Sequence, residues 1–117
     1  MKTKTFHVED KHAASAIASG ALHVLGTPAL VGFLENLAFE DSQELCEEGK
    51  TTVGSAMNMN HLAPTKIGED VEIRVLSRIV DGKKISYELE AVEGDKQIAT
   101  AHHVRFVVDA ARFMGNL

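Results

Sequence analysis

The sequence predicts a two-layer α+β domain, one long helix laid on an antiparallel sheet. Three observations predict it. Apolar residues recur at helical spacing after Gly26-Thr27-Pro28, the alternation switches to period two after Gly49, and Asp81-Gly82 and Gly94-Asp95 mark turns between successive strands. The apolar helix face and the apolar sheet face can each be buried only against the other. At 117 residues there is room for one core, so residues 1–117 are read as a single domain.

Taken in order, Lys2 to Val8 reads as a short strand, with Thr3, Thr5, Phe6 and Val8 as strand formers. His12 to Gly20, rich in Ala and Ser, is compatible with a short helix or a loop. Thr27 is a preferred N-cap, and Pro28 suits the first helical position because its missing N–H would be unpaired there. Leu30, Val31, Phe33, Leu34, Leu37, Ala38 and Leu45 then fall on one arc, and Gly49 ends the helix. Thr51 to His61 alternates, with Val53, Ser55, Met57, Met59 and His61 on one face and Gly54, Ala56, Asn58 and Asn60 on the other. Ala63 to Gly68 is a loop by its Pro and Gly. Asp70 to Val80, Lys84 to Val92 and Lys96 to Asp109 supply three further strands.

Composition narrows the function. Hydrophobic residues are 44% and charged residues 25%, a globular balance. Seventeen Asp and Glu against 12 Lys and Arg give a net charge of −5, which argues against nucleic-acid or membrane-surface partners, since both need a basic face. Cys46 has no second cysteine for a disulfide or a CxxC site. No apolar run approaches the roughly 18 residues that span a bilayer, and the N-terminal stretch lacks a signal-peptide core. A cytoplasmic location is the expectation. With no Trp, one Tyr and five Phe the core is modest, and an open sheet edge is an aggregation hazard. A homodimer that continues the sheet or covers the helix is expected on those grounds.

Three residues stand out, each with an ordinary reading beside a chemical one. Glu35 lies at the border of the apolar arc, next to Val31 and Ala38; it is either a flanking carboxylate in water or a base at the wall of a cleft. His61 ends a strand and opens a Pro/Gly loop; it is either a hydrogen-bonded structural histidine or a side chain reaching a cleft. Thr27 is a helix cap that also stands where unpaired N–H groups and the positive helix end favour a developing oxyanion. Eight residues separate Thr27 from Glu35, about 12 Å along the helix axis, which leaves room for a substrate between them. His102 and His103 are neighbours in a strand and point to opposite faces, and His7, His12 and His23 lack ligand spacing, so no metal and no cofactor are expected. Met57 and Met59 read as core, and Lys66, Lys83 and Lys84 as surface charge.

The stretch Leu25-Gly26-Thr27-Pro28-Ala29-Leu30-Val31 through Glu35, with Thr52-Val53-Gly54, His61-Leu62-Ala63-Pro64-Thr65, Ile67-Gly68, Val80-Asp81-Gly82-Lys83 and His102-His103-Val104-Arg105, resembles the fluoroacetyl-CoA-thioesterase-like branch of the hot-dog superfamily. The resemblance runs from about Thr3 to Phe113 and rests on the order and spacing of the motifs. It implies a hot-dog fold, a curved antiparallel sheet wrapped around one long central helix, and hydrolysis of a short acyl-CoA thioester to free acid and CoA. It further implies that Thr27, Glu35 and His61 are catalytic. By the same resemblance Gly54 is expected to face the substrate carbonyl through its backbone and Arg105 to serve substrate binding, with Pro28 and Phe33 as further expected substrate contacts. The resemblance also implies a dimer that completes its sites at the subunit interface. Two departures stand: Lys66 where relatives often carry Pro, and Ala101 where they often carry Gly. The rival readings are a non-catalytic acyl-CoA-binding module, an acyl-thioester dehydratase and an interaction scaffold. The separation of 26 positions from Glu35 to His61 fits the thioesterase pattern better than the dehydratase one.

Overall fold

A computed structural model describes residues 2–117. It contains β1 (Thr3–His7), α1 (Thr27–Gln43), β2 (Lys50–His61), β3 (Asp70–Asp81), β4 (Lys84–Glu93), β5 (Lys96–Asp109) and a terminal turn of helix, α2 (Ala110–Gly115). The five strands form one antiparallel sheet in the order β1-β3-β4-β5-β2, so β1 and β2 are its edges. Register shifts at Gly54/Ala56, Val75/Ser77 and Ala91/Val92 each bend a strand and raise its twist, which is how a sheet of long strands curls. Helix α1 lies inside the curl and touches β1, β2, β3 and β4. Leu30, Leu34 and Leu37 of its inner face are buried against Ile73, Ile85, Tyr87 and Leu89. The expected two layers are therefore present.

The start of α1 differs from expectation in one functionally useful way. Gly26, in extended conformation, is the N-cap, so Thr27 and Pro28 occupy the first helical turn and the Thr27 hydroxyl makes no capping bond. A close fit explains the choice of residue: a Cβ at Gly26 would lie 2.9 Å from Ile17 Cδ1 and 3.1 Å from the Ala14 Cα. Residues 13–25 are a loop rather than a helix. It is tied to the helix entry by an Ala13–Leu25 bridge and by the Gly26 N–H donating to the His12 carbonyl at 2.9 Å.

The end of α1 also differs. The helix stops at Gln43, six residues before Gly49, and Leu45 is exposed. The Leu45 and Cys46 N–H groups bond three residues back, to the Ser42 and Gln43 carbonyls, which tightens the chain out of α-helix. The Gln43 side chain then bridges to the next strand, donating to the Lys50 carbonyl at 3.0 Å and accepting from Thr51 Oγ1 at 2.7 Å. Gly49, at φ +85°, makes the turn into β2.

The far half of α1 is anchored by a buried carboxylate. Asp41 Oδ2 accepts from Tyr87 Oη at 2.7 Å and from Arg78 Nη1 at 2.9 Å, joining the helix to β4 and β3. Burial and the adjacent carboxylate push the Tyr87 phenol well above its ordinary range.

The faces of β2 are corrected by its bulge. Thr52 and Gly54 face the helix, Ser55 is the extra residue, and Met57 and Met59 then face the helix as well. A strict alternation would have put Gly54 opposite Met57. One inserted residue reverses the parity and brings Gly54 to the inner face.

Candidate active site

The singled-out residues form two groups on the inner wall. In the first, Thr27 Oγ1 and His61 Nδ1 are 2.9 Å apart. They line a cavity of about 330 Å³ between the 13–26 loop and the His61–Pro64 segment. Thr27 is exposed, His61 is half-buried, and His61 Nε2 is buried without a hydrogen-bond partner among the described residues. Burial lowers the imidazole below its ordinary value, the Ala63 backbone opposing, so His61 is neutral at neutral pH. A neutral ring whose Nδ1 meets a hydroxyl can either accept that proton or donate its own to the oxygen, and the second leaves the hydroxyl proton free for a substrate.

The second group gathers around Glu35. Its carboxylate leans over Gly54 so closely that a Cβ there would lie 2.8 Å from Oε2. Arg105 Nη1 approaches the same oxygen at 3.9 Å. The Glu35 side chain is 44% exposed while that of Arg105 is 7% exposed, so a buried cation stands behind a carboxylate open to solvent.

Arg105 is fixed by a chain of donors. Its Nε donates to Thr52 Oγ1 at 2.9 Å and its Nη2 to the Thr52 carbonyl at 3.0 Å. Thr52 Oγ1 is 2.7 Å from Ser42 Oγ, which donates to the Phe39 carbonyl at 3.1 Å. Arg105 Nη1 donates to His103 Nε2 at 3.2 Å, and His103 Nδ1 donates to the Ala56 carbonyl at 2.7 Å. Burial, together with the Arg105 charge, lowers His103, so the ring is neutral and its Nε2 is free to accept. Burial lowers Arg105 as well, with Glu35 opposing, yet a guanidinium keeps its charge in any such setting. The Phe39 ring lies under the guanidinium, 5.7 Å from its carbon to the centroid.

The two groups do not meet within one chain. Among the described residues Glu35 makes no hydrogen bond with Thr27 or His61; it stands about 12 Å along α1 from the one. Gly54 and His61 are seven residues apart on β2, about 20 Å.

Of the remaining expected contacts, Pro28 is exposed beside Thr27. Phe33 is buried, stacked on Phe6 with centroids 4.4 Å apart and edge-on to His12 at 4.9 Å. That packing makes it part of the helix-to-β1 seam. Arg105, expected against substrate, has its nitrogens committed to protein acceptors and reaches the cleft through Glu35. The sequence reading missed Ser42, Thr52 and His103. Ser42 carried a signal, a hydroxyl four residues past Ala38 on an otherwise apolar arc.

A family model described as fluoroacetyl-CoA-specific thioesterase matches residues 8–111. The fluoroacetyl-CoA thioesterase of Streptantibioticus cattleyicolor is 28% identical over 90 residues, which is 77% of this chain and 65% of that protein, just under two thirds of the relative's length. A mutant of the fluoroacetyl-CoA-specific thioesterase FlK, crystallised in complex with fluoroacetate and CoA, superposes with a TM-score of 0.93 at 24% identity, covering 99% of this chain and 95% of that one. A hot-dog-like protein from Thermanaerovibrio acidaminovorans superposes at 0.88 with 22% identity, covering 98% and 85%. These structural likenesses identify the curled sheet and central helix as a hot-dog fold.

Proposed function

The chain belongs to the fluoroacetyl-CoA-specific thioesterase family, and from that membership we propose that it hydrolyses a short acyl-CoA thioester to free acid and CoA. The observation that carries the reading is the pairing of a hydroxyl with a neutral, half-buried imidazole, Thr27 with His61, on the same wall as an arginine-backed carboxylate, Glu35. In the proposed reaction Glu35 takes a proton from water as the oxygen bonds to the acyl carbon. The oxyanion is stabilised by the Gly54 N–H and the Thr27 hydroxyl. The C–S bond then breaks, and the proton taken from water is returned to the departing thiolate through His61. Arg105 holds the carboxylate in place. Pro28 lines the acyl approach beside Thr27, and Phe33 supports it from the core.

The separation of the two groups favours a homodimer, with the second copy completing each site. β2 is an edge strand of 12 residues whose Gly54, Ser55, Ala56, Asn58 and Asn60 are exposed. An antiparallel pairing of two such edges about Asn58 sets each His61 opposite the other copy's Gly54–Ser55 bulge. It thereby brings Thr27 and His61 of one copy to Glu35 of the other. It also covers the edges that would otherwise invite aggregation. No helix of the described residues is long and apolar enough to cross a membrane, and the acidic balance argues against nucleic-acid or membrane-surface partners; the proposed site of action, where acyl-CoA is met, is the cytoplasm.

Mixing two inactive variants, Glu35→Gln and His61→Ala, tests the whole reading. If each site draws on both copies, a statistical mixture contains half heterodimers with one intact site each, so about a quarter of native thiol release returns. No recovery on mixing would place the site within one chain. Near-native thiol release by Glu35→Gln alone would overturn the assignment of the base. Acyl-CoA binding by the native protein without thiol release would favour the binding-module reading.

A further inference from the structure

The outer face of the sheet carries a second cavity, of about 480 Å³, where β5 runs into α2. Lys50, Lys83 and Arg112 line it, with the rings of Phe106 and Phe113 and the carboxylate of Asp109. Most of the chain's other cations are spoken for: Lys2, Lys4, Lys11, Arg74, Arg78, Lys96 and Arg105 all have acidic partners. Among the described residues Lys50, Lys83 and Arg112 form no ion pair and share this one hollow, in a chain of net charge −5; the other cations without an ion pair there, Lys66 and Lys84, lie outside it. Asp109 does not neutralise them by contact; its Oδ1 accepts from the Arg112 backbone N–H at 2.9 Å. Three uncommitted cations beside two aromatic rings suit a ligand with a phosphate group and a flat base.

The place of the cavity connects it to the reacting group. Phe106 follows Arg105 in β5 and pairs with Val53, the neighbour of Gly54, while Lys50 pairs with Asp109 at the far end. From Gly54 to Lys50 is about 13 Å along β2. The pairing proposed above uses β2 from the bulge to His61, which leaves the edge from Lys50 to Val53 open for an extended chain to pass from the inner face to the outer.

We propose that this cavity binds the adenosine 3′,5′-bisphosphate end of CoA, with Lys50, Lys83 and Arg112 on its phosphates and Phe106 and Phe113 against the base. The inference rests on the acyl-CoA reading and names the part of that substrate which the inner wall does not hold.

The test compares one acyl group carried on CoA and on pantetheine, which lacks the nucleotide. Lys83→Ala and Arg112→Ala each raise KM for the acyl-CoA about tenfold, the loss of one charge-assisted contact, and leave hydrolysis of acyl-pantetheine at its native rate. An unchanged KM for acyl-CoA, or an equal loss on both substrates, overturns the assignment. Calorimetric titration of the full chain with adenosine 3′,5′-bisphosphate and, separately, inorganic phosphate tests the site even if no thioester is cleaved. Binding of the nucleotide that is weakened about tenfold in both variants supports the site. Absence of nucleotide binding, binding that the variants do not weaken, or equal affinity for phosphate alone overturns it.

Discussion

Glu35 Oε2 occupies the space that a Cβ at position 54 would need, 2.8 Å from where that carbon would sit. Gly54 is thus glycine for the sake of its neighbour, since its own backbone lies in a strand. Gly54→Ala should push the carboxylate aside by a large fraction of an ångström, and such a displacement of a reacting group costs about 100-fold in kcat. The variant should keep its native circular dichroism, because the exposed end of Glu35 is free to move. Native turnover by Gly54→Ala would separate Glu35 from the chemistry.

Arg105→Lys tests whether the guanidinium fork matters beyond its charge. A lysine ammonium cannot reproduce the paired donation from Nε and Nη2 to the Thr52 hydroxyl and carbonyl, nor the Nη1 bond to His103. The expected result is a loss of about 2 kcal/mol in stability from stranded polar groups. Because Arg105 acts through Glu35, kcat should fall while KM for acyl-CoA stays near native. A rise in KM with native kcat would instead make Arg105 a direct substrate contact.

The fold was legible in the sequence because its signals were local: a helical arc after Gly26, period-two runs, and Asp81-Gly82 and Gly94-Asp95 at the turns. Those glycines do adopt positive φ at 82 and 94. What escaped were features with no local signature. The bulge at Ser55 leaves the composition of β2 unchanged yet moves Gly54 to the inner face. The end of α1 at Gln43 depends on bonds to Lys50 and Thr51, seven and eight residues on. Thr27 and His61 could be named from spacing and resemblance, and their contact follows only once the chain between them has folded. His103 and Thr52 read as ordinary strand residues, since nothing in their surroundings along the chain announces Arg105 between them in space.

The lowered histidines set an acid limit. His12, His61 and His103 are each held below the ordinary imidazole value, chiefly by burial. The unfolded chain therefore binds protons that the folded chain refuses as pH falls below about 6.5, and stability drops progressively under that point. Above it both states are neutral and this contribution is complete. Urea midpoints measured from about pH 7 down to pH 5 should fall, and His61→Gln should flatten the slope by removing one of the three groups. An unchanged slope would mean that His61 titrates alike in both states.

Asp41 provides a stability test far from the chemistry. Its Oδ2 carries both the Tyr87 hydroxyl and the Arg78 guanidinium, and its carboxylate is 7% exposed. Asp41→Ala leaves a buried phenol without its acceptor and a guanidinium facing a small void. The expected cost is about 2–3 kcal/mol, or a fall in Tm of roughly 10 °C. Tyr87→Phe removes only the donor and lets the carboxylate keep Arg78, so its cost should be nearer 1 kcal/mol. In the double variant the Tyr87 change should add little, because its partner is already gone, and a double-mutant cycle reads that coupling directly. Fully additive losses would mean that the hydroxyl and the carboxylate stabilise the helix independently. In every one of these variants kcat should stay native, because α1 is held at its reacting end by Gly26 and the residue 13–25 loop.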